Sequence, residues 1–383
     1  MILFLHNRYR TPGGEERAVE DAMWLARERL GEEVELLERD SALLGRGRAA
    51  VGMLRGGLSP DDVAAAVRRT RARIVHAHNL HPSLGWRALA AAREAGARVV
   101  VHLHQYRMVC AVGVCFTEGA QCTRCHGRNT LPGVVHNCRG DAAEAVIYAA
   151  ALSLWQRRMA RGADAYVVPS RFAGERLRTL GISIPALHVV PHPVRSIASA
   201  PAPGGGGYAL MAARLAPEKG VEVAIDACAR LGLALVIAGD GPLRERLAAR
   251  AGPQVTFAGQ VSPDELARLR ARAELALVPS LSAETFGLAA AEAMASGLPS
   301  AGSRIGALPE LLADEWLATP GSPSELAAAI ERVRQHRPEA ARAALARVRA
   351  LAAPERAAAA LAAVYDDDGA RSSAGAPVTP TRR

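Results

Sequence analysis

Aromatic residues are scarce in this 383-residue chain, at 4% of the total. Without rings interleaved among its basic residues the chain has no platform on which bases would stack, so nucleic acid is not the expected partner. No apolar run reaches the ~18 residues that a membrane-spanning helix needs. The amino terminus has no basic start and no small-residue cleavage site, and its apolar stretch, residues 1–5, is too short for a secretory signal. A cytoplasmic location is the expectation. The first strand is not followed by Gly-x-Gly-x-x-Gly, which argues against a dinucleotide oxidoreductase. No side chain announces itself as a covalent nucleophile.

What is present is basic charge and a repeating pattern. The formal net charge is +9, carried mostly by arginine. Such a balance suits anionic partners, either a nucleotide diphosphate or the inner face of a membrane, although an arginine-rich genome would produce much of it. Strand-like and helix-like segments alternate from the first residue. Alternation of this kind predicts an α/β fold with parallel sheets, and the length predicts two domains. Residues 1–195 form the first domain and residues 208–351 the second. Residues 196–207, with four consecutive glycines, read as a flexible linker. Residues 352–366 read as a helix that packs back on the first domain, and 367–383 as a polar, disordered tail.

Ligands in parallel sheets bind beyond the carboxyl ends of the strands, so those loops carry the functional reading. In the first half, Gly13 and Gly14 open a helix and leave backbone amides free for a phosphate or hydroxyl. His78, Asn79 and His81 follow one strand, and His104-Gln105-Tyr106 follows another. Of the histidines, His104 is the favoured site residue, since an imidazole there can bond a sugar hydroxyl or move a proton. Structural roles account equally well for His78, His81 and His102. A cysteine-bearing insertion, about residues 105–139, breaks the pattern. Cys122-x-x-Cys125 is a metal-knuckle spacing flanked by Cys110 and Cys138, and these four are the expected ligands of a structural zinc. His126 or Cys115 is a possible substitute ligand, and a redox pair is the weaker reading.

In the second half, Arg214 and Lys219 stand at a strand end, where fixed cations can stabilise charge developing on a departing diphosphate. Gly239-Asp240-Gly241 and Gly259-Gln260-Val261 close two further strands and are candidates to frame base and ribose. The densest stretch runs from Glu284 through Phe286, Gly287 and Leu288 to Glu292. It joins two carboxylates to an amide-lined helix start, a combination that suits a ligand hydroxylated at both ends and phosphorylated between.

These motifs together resemble the Glu-seven-Glu signature of the retaining glycosyltransferases of family 4. Their anchors here are Gly13-Gly14, Pro169-Ser170, Arg214 with Lys219, Gly239-Asp240-Gly241, and Glu284-Thr285-Phe286-Gly287 through Glu292. The cysteine segment is similar to that of a subgroup carrying cysteine clusters at this place. The resemblance implies a GT-B fold, two facing Rossmann-like domains with the active site in the cleft. It implies Arg214 and Lys219 on the donor diphosphate, Glu284 on the sugar and Glu292 on the ribose. Amides near Phe286, Gly287 and Leu288 would face the sugar and phosphates. It further implies retention without a nucleophile and no cofactor for catalysis. The donor would be a UDP- or GDP-sugar, and the acceptor a glycan, a lipid-linked species or a small molecule. His192-Pro193-Val194-Arg195 replaces the family's usual Asn-Gly-Val-Asp, a departure at the hinge. The alternatives are a non-catalytic nucleotide-sugar-binding subunit and a nucleotide-sugar epimerase on the same fold.

Overall fold

A computed structural model describes residues 1–9 and 13–367. Thr11 and Pro12 of the glycine loop, and residues 368–383 of the tail, lie outside the described residues. The first sheet is built from β1 (Ile2–Arg8), β2 (Val34–Asp40), β3 (Ile74–Ala77) and β4 (Arg98–His102). A small hairpin, β5 (Phe116–Thr117) and β6 (Ala120–Gln121), stands apart, and β7 (Ala165–Val168) and β8 (Leu187–Val189) complete the sheet. Its order is β2-β1-β3-β4-β7-β8, and every pairing is parallel. The second sheet comprises β9 (Tyr208–Ala212), β10 (Ala234–Ala238), β11 (Val255–Gly259), β12 (Leu275–Val278), β13 (Ser300–Ser303) and β14 (Leu317–Ala318). Its order is β11-β10-β9-β12-β13-β14, again parallel throughout.

The central strands read as unbroken apolar runs because helices cover both faces. Leu3 and Leu5 face one core with Val75, Val99 and Val101, while Ile2 and Phe4 face another with Ile74, Val100 and Val167. The helix Pro354–Asp366 belongs to that second face. Ala357, Leu361, Val364 and Tyr365 pack under the first domain although they follow the second in sequence.

Residues 196–207 are strapped to the second domain, contrary to the flexible reading. Ala198 and Ala202 donate to the carbonyls of Ala295 and Gly297, and Gly204 and Gly206 to those of Ala271 and Arg272. The glycines serve left-handed turns, at φ 70, 86 and 71 for Gly204, Gly205 and Gly207, where a side chain would be strained. The hinge sequence is held as well: Arg195 Nε bonds Asp21 at 2.5 Å, and Val194 N bonds Ala352 O at 2.9 Å.

Candidate active site

Each sheet has one point where the chain reverses direction across it, between β1 and β3 in the first and between β9 and β12 in the second. Crevices at such points are where parallel sheets bind ligands. The loops leaving β9 and β12 carry Arg214, Lys219 and Glu284, and those leaving β1 and β3 carry Gly13, Gly14 and His78. The two crevices meet.

On the second domain, Lys219 ends a short 3-10 turn, Pro217–Lys219, and Gly220 begins the next helix at φ 66. A side chain at Gly220 would come 2.0 Å from the Pro279 carbonyl, so only glycine lets the two loops touch. That contact brings Lys219 Nζ to 2.7 Å from Glu284 Oε1, which also accepts from Ser280 Oγ at 2.7 Å. Burial alone would raise the Glu284 carboxyl, but Lys219 and Ser280 more than offset it and hold it below the ordinary value. Arg214 instead pairs with Glu218, a buried carboxylate whose backbone carbonyl also accepts from Leu281 and Ser282. Glu292 pairs with Arg270 at 2.6 Å. The three cations beside the cleft are thus each neutralised by a carboxylate that an anionic ligand would have to displace or share.

Gly287 caps the helix Leu288–Ala295 at φ 93, and Phe286 is buried against His192 with ring centroids 5.2 Å apart. Gly14 lies opposite this helix start, its missing Cβ position 3.7 Å from Leu288 Cδ1. Two of the glycines have local structural roles. The Gly13 amide is occupied by Glu16 Oε2 at 2.7 Å, so it is not free to face a phosphate. Gly239 is required for packing, since a Cβ there would meet the Ala213 carbonyl at 2.0 Å. Val261 is half-buried against the cluster around Tyr208 and Leu210.

The two domains touch through polar bonds. Thr285 Oγ1 donates to the His104 carbonyl at 2.9 Å, Ser170 Oγ to the Thr285 carbonyl at 2.6 Å, and Tyr106 Oη to that of Ala283 at 3.4 Å. Glu310 accepts from the amides of Phe172 at 2.7 Å and Arg171 at 3.3 Å. A carboxylate of one domain thereby caps the first turn of the other's helix Arg171–Thr179.

His104 stands in a stack that sequence reading saw only in part. His6, His76, His78, His102, His104 and His192 are all buried. The pairing of Phe4 with His76, and of His76 with Val100, carries on to set His6, His78 and His102 side by side. His104 lies 4.2 Å from His102 and 5.2 Å from His192 between ring centroids, nearly parallel to both. Its Nε2 is 2.7 Å from His78 Nδ1, and His76 Nδ1 is 2.7 Å from Tyr365 Oη. Burial pushes His76 down to about 3 and His192 to about 4, and puts His78, His102 and His104 well below the usual range. His104 is therefore neutral near pH 7, suited to hydrogen-bonding a hydroxyl rather than to carrying charge.

One further residue escaped the sequence reading. Glu15 is buried at the start of the helix Gly14–Glu28, where it accepts from Tyr9 Oη at 2.6 Å and Gln105 Nε2 at 3.0 Å. Burial raises its carboxyl above the ordinary value. Lys219 was found by motif, yet composition marks it independently, for it is the sole lysine among 47 basic Lys and Arg residues. The cysteines converge in space: all five of the insertion line a single cavity, and none forms a disulfide.

Two parallel sheets facing each other across a crevice lined by cations and carboxylates define the GT-B class. Solved structures share the whole architecture. The Anabaena protein HepE in complex with UDP matches with a TM-score of 0.63 at 18% identity, over 95% of this chain and 98% of that one. Sucrose-phosphate synthase from Thermosynechococcus elongatus matches with a TM-score of 0.68 at 18% identity, over the same shares. Residues 9–193 match the glycosyl transferase 4-like domain, and residues 206–336 the domain described as glycosyl transferases group 1. The chain belongs to the family-4 glycosyltransferases. Among its relatives is the GDP-mannose-dependent alpha-(1-6)-phosphatidylinositol dimannoside mannosyltransferase of Mycobacterium tuberculosis, 43% identical over 145 residues, covering 36% of this chain and 38% of the relative. Another is the MMP alpha-(1->4)-mannosyltransferase of Mycolicibacterium hassiacum, 37% identical over 195 residues, covering 46% and 47%. The matches thus span less than half the length of either relative.

Proposed function

We propose that the protein transfers a sugar, with retention, from a nucleotide-sugar to a hydroxyl acceptor. The observation that carries this reading is the Lys219–Glu284 pair at the crossover point of the second sheet, with Arg214 at the start of the same β9 loop. A diphosphate entering there exchanges a carboxylate partner for phosphate oxygens. Lys219 and Arg214 then hold charge as it develops on the leaving group, and Glu284 is released toward the sugar hydroxyls. The neutral imidazole of His104 closes the cleft from the acceptor side. With no protein nucleophile in the arrangement, the departing phosphate is the base that takes the acceptor's proton.

The relatives favour mannose on GDP as the first donor to test, since both a GDP-mannose-dependent alpha-mannosyltransferase of Corynebacterium glutamicum and the mycobacterial dimannoside enzyme carry that donor in their names. The purified chain, incubated with GDP-mannose, UDP-glucose and ADP-glucose in turn, should hydrolyse or transfer from one of them. Release of the α-anomer would support retention. Binding of a nucleotide-sugar with no turnover for any acceptor would instead favour the non-catalytic subunit.

The acceptor half also supports contact with an anionic membrane surface. Among the described residues, no helix is long and apolar enough to cross a bilayer. Yet Leu43, Val51, Leu54, Leu131, Val135 and Leu154 are exposed there, on or beside helices that carry many arginines. Sedimentation with anionic vesicles at low salt, lost at high salt, is the expected result, and indifference to vesicles would remove the idea.

A further inference from the structure

We propose that the cysteine insertion is a structural zinc knuckle with Cys110, Cys122, Cys125 and Cys138 as its ligands. All five cysteines of the segment line one cavity of about 20 Å³, room for roughly one water-sized sphere and hence for one ion. The segment has almost no regular structure to hold it. It contains a hairpin of two-residue strands, an isolated bridge from His126 to Asn129 and the five-residue helix Leu131–Val135. Cys115 nevertheless adopts a positive φ of 50. Such conformations persist only where surroundings over-determine them. A metal cross-link through the cavity supplies that constraint.

Cys110 opens a tight turn in which the Gly113 amide donates to its carbonyl at 3.0 Å, and the Cys122 amide donates to the Cys115 carbonyl at 2.8 Å, which ties the Cys122-x-x-Cys125 segment to that turn. The other thiols are weakly engaged: Cys125 Sγ has a 3.9 Å contact to the Thr130 carbonyl, and Cys138 Sγ a 3.9 Å contact to Thr117 Oγ1. Cys115, at 3% exposure, is the fifth thiol and lies against Cys110. Among the described residues, the triads whose ligand atoms lie within 4.8 Å of one another are both histidine triads, so the cysteine sulfurs stand wider than in a formed tetrahedron. Binding zinc draws them together and displaces their thiol protons. Four thiolates fill the coordination shell, so the metal is closed to substrate.

The knuckle is joined to the cleft. The Tyr106 amide donates to the Gly113 carbonyl at 2.9 Å, inside the Cys110–Cys115 turn, while the Tyr106 hydroxyl reaches the second domain at Ala283. A folded knuckle therefore fixes the loop that carries His104.

The test is metal content of the full chain, purified under reducing conditions and freed of loose metal by chelator and gel filtration. About one tightly held zinc per chain is expected. Cys122→Ser and Cys125→Ser should each remove most of it, since three thiolates no longer close a tetrahedral site, while Cys228→Ser keeps it. Cobalt substitution separates the rival locations, since only a cysteine site gives strong sulfur-to-cobalt charge transfer. Zinc-free protein with all six thiols titratable would overturn the proposal. So would a Cys110–Cys115 disulfide in the native protein, or cobalt bound with a nitrogen-only spectrum.

Discussion

The two halves of the molecule share one architecture but line their common cleft with opposite chemistry. The second domain presents charge, as Lys219 with Glu284, Arg214 with Glu218, and Arg270 with Glu292. The first presents neutral, buried rings, from His76 through His104 to His192. Each carboxylate of the charged half keeps a cation in place until a more strongly charged ligand competes for it. The imidazole half offers hydrogen bonds without net charge, a surface fitted to an uncharged hydroxyl. On the proposed function, donor and acceptor sides are thus distinguished by electrostatics before any ligand is identified.

The sharpest way to break this comparison is at Lys219. Lys219→Ala should lower kcat/KM by about 10²–10³-fold, the range found when one donor to a developing anion is removed, with Tm changing little. Equal turnover in the variant would mean that the charged half is only structural. Next in size is the acid sensitivity of the ring half. Buried imidazoles such as His76 and His192, at about 3 and about 4, stay neutral in the folded chain but take up protons on unfolding below about pH 6.5. Their contribution is fully present above that pH and is lost as pH falls toward 4, by up to about 1.4 kcal/mol per pH unit for each such group. Urea unfolding between about pH 7.5 and pH 5 should show this loss, and His102→Leu should flatten it. A profile that His102→Leu leaves unchanged would mean that the stack is not its source. Smallest is the seam between halves. Glu310→Ala should cost about 1 kcal/mol, the worth of a helix cap, measured by the same unfolding, and no change would show that the cap is dispensable.

How much of this was readable in advance follows from what each feature depends on. The apolar strands β1, β3, β4, β7, β10 and β12 declare themselves locally. β13, Ser-Ala-Gly-Ser, has no β-branched residue and becomes a strand only because β12 and β14 flank it. The motif residues Lys219, Glu284 and Gly287 were legible because they are close in sequence to strand ends. The histidine stack was not, since it needs the register among β1, β3 and β4 and a ring delivered from the hinge at His192. Glu218 was passed over as a neighbour of Lys219, its burial being set by the distant residues Leu281 and Ser282. Glycine-rich composition at 203–207 misled for a related reason: it reports the turns a backbone can make, not whether another domain grips it.

Because every other basic side chain among the Lys and Arg residues is a guanidinium, the Lys219 ammonium is the chain's one lysine amine. It differs from arginine in being a compact point charge that does not fork between two acceptors. It also gives the protein a built-in address. Reductive methylation with isotopically labelled formaldehyde places a single side-chain probe at the cleft, at no cost in charge. Its resonance should shift when a nucleotide replaces Glu284 as its neighbour, so occupancy of the donor site can be followed directly in the unmutated chain.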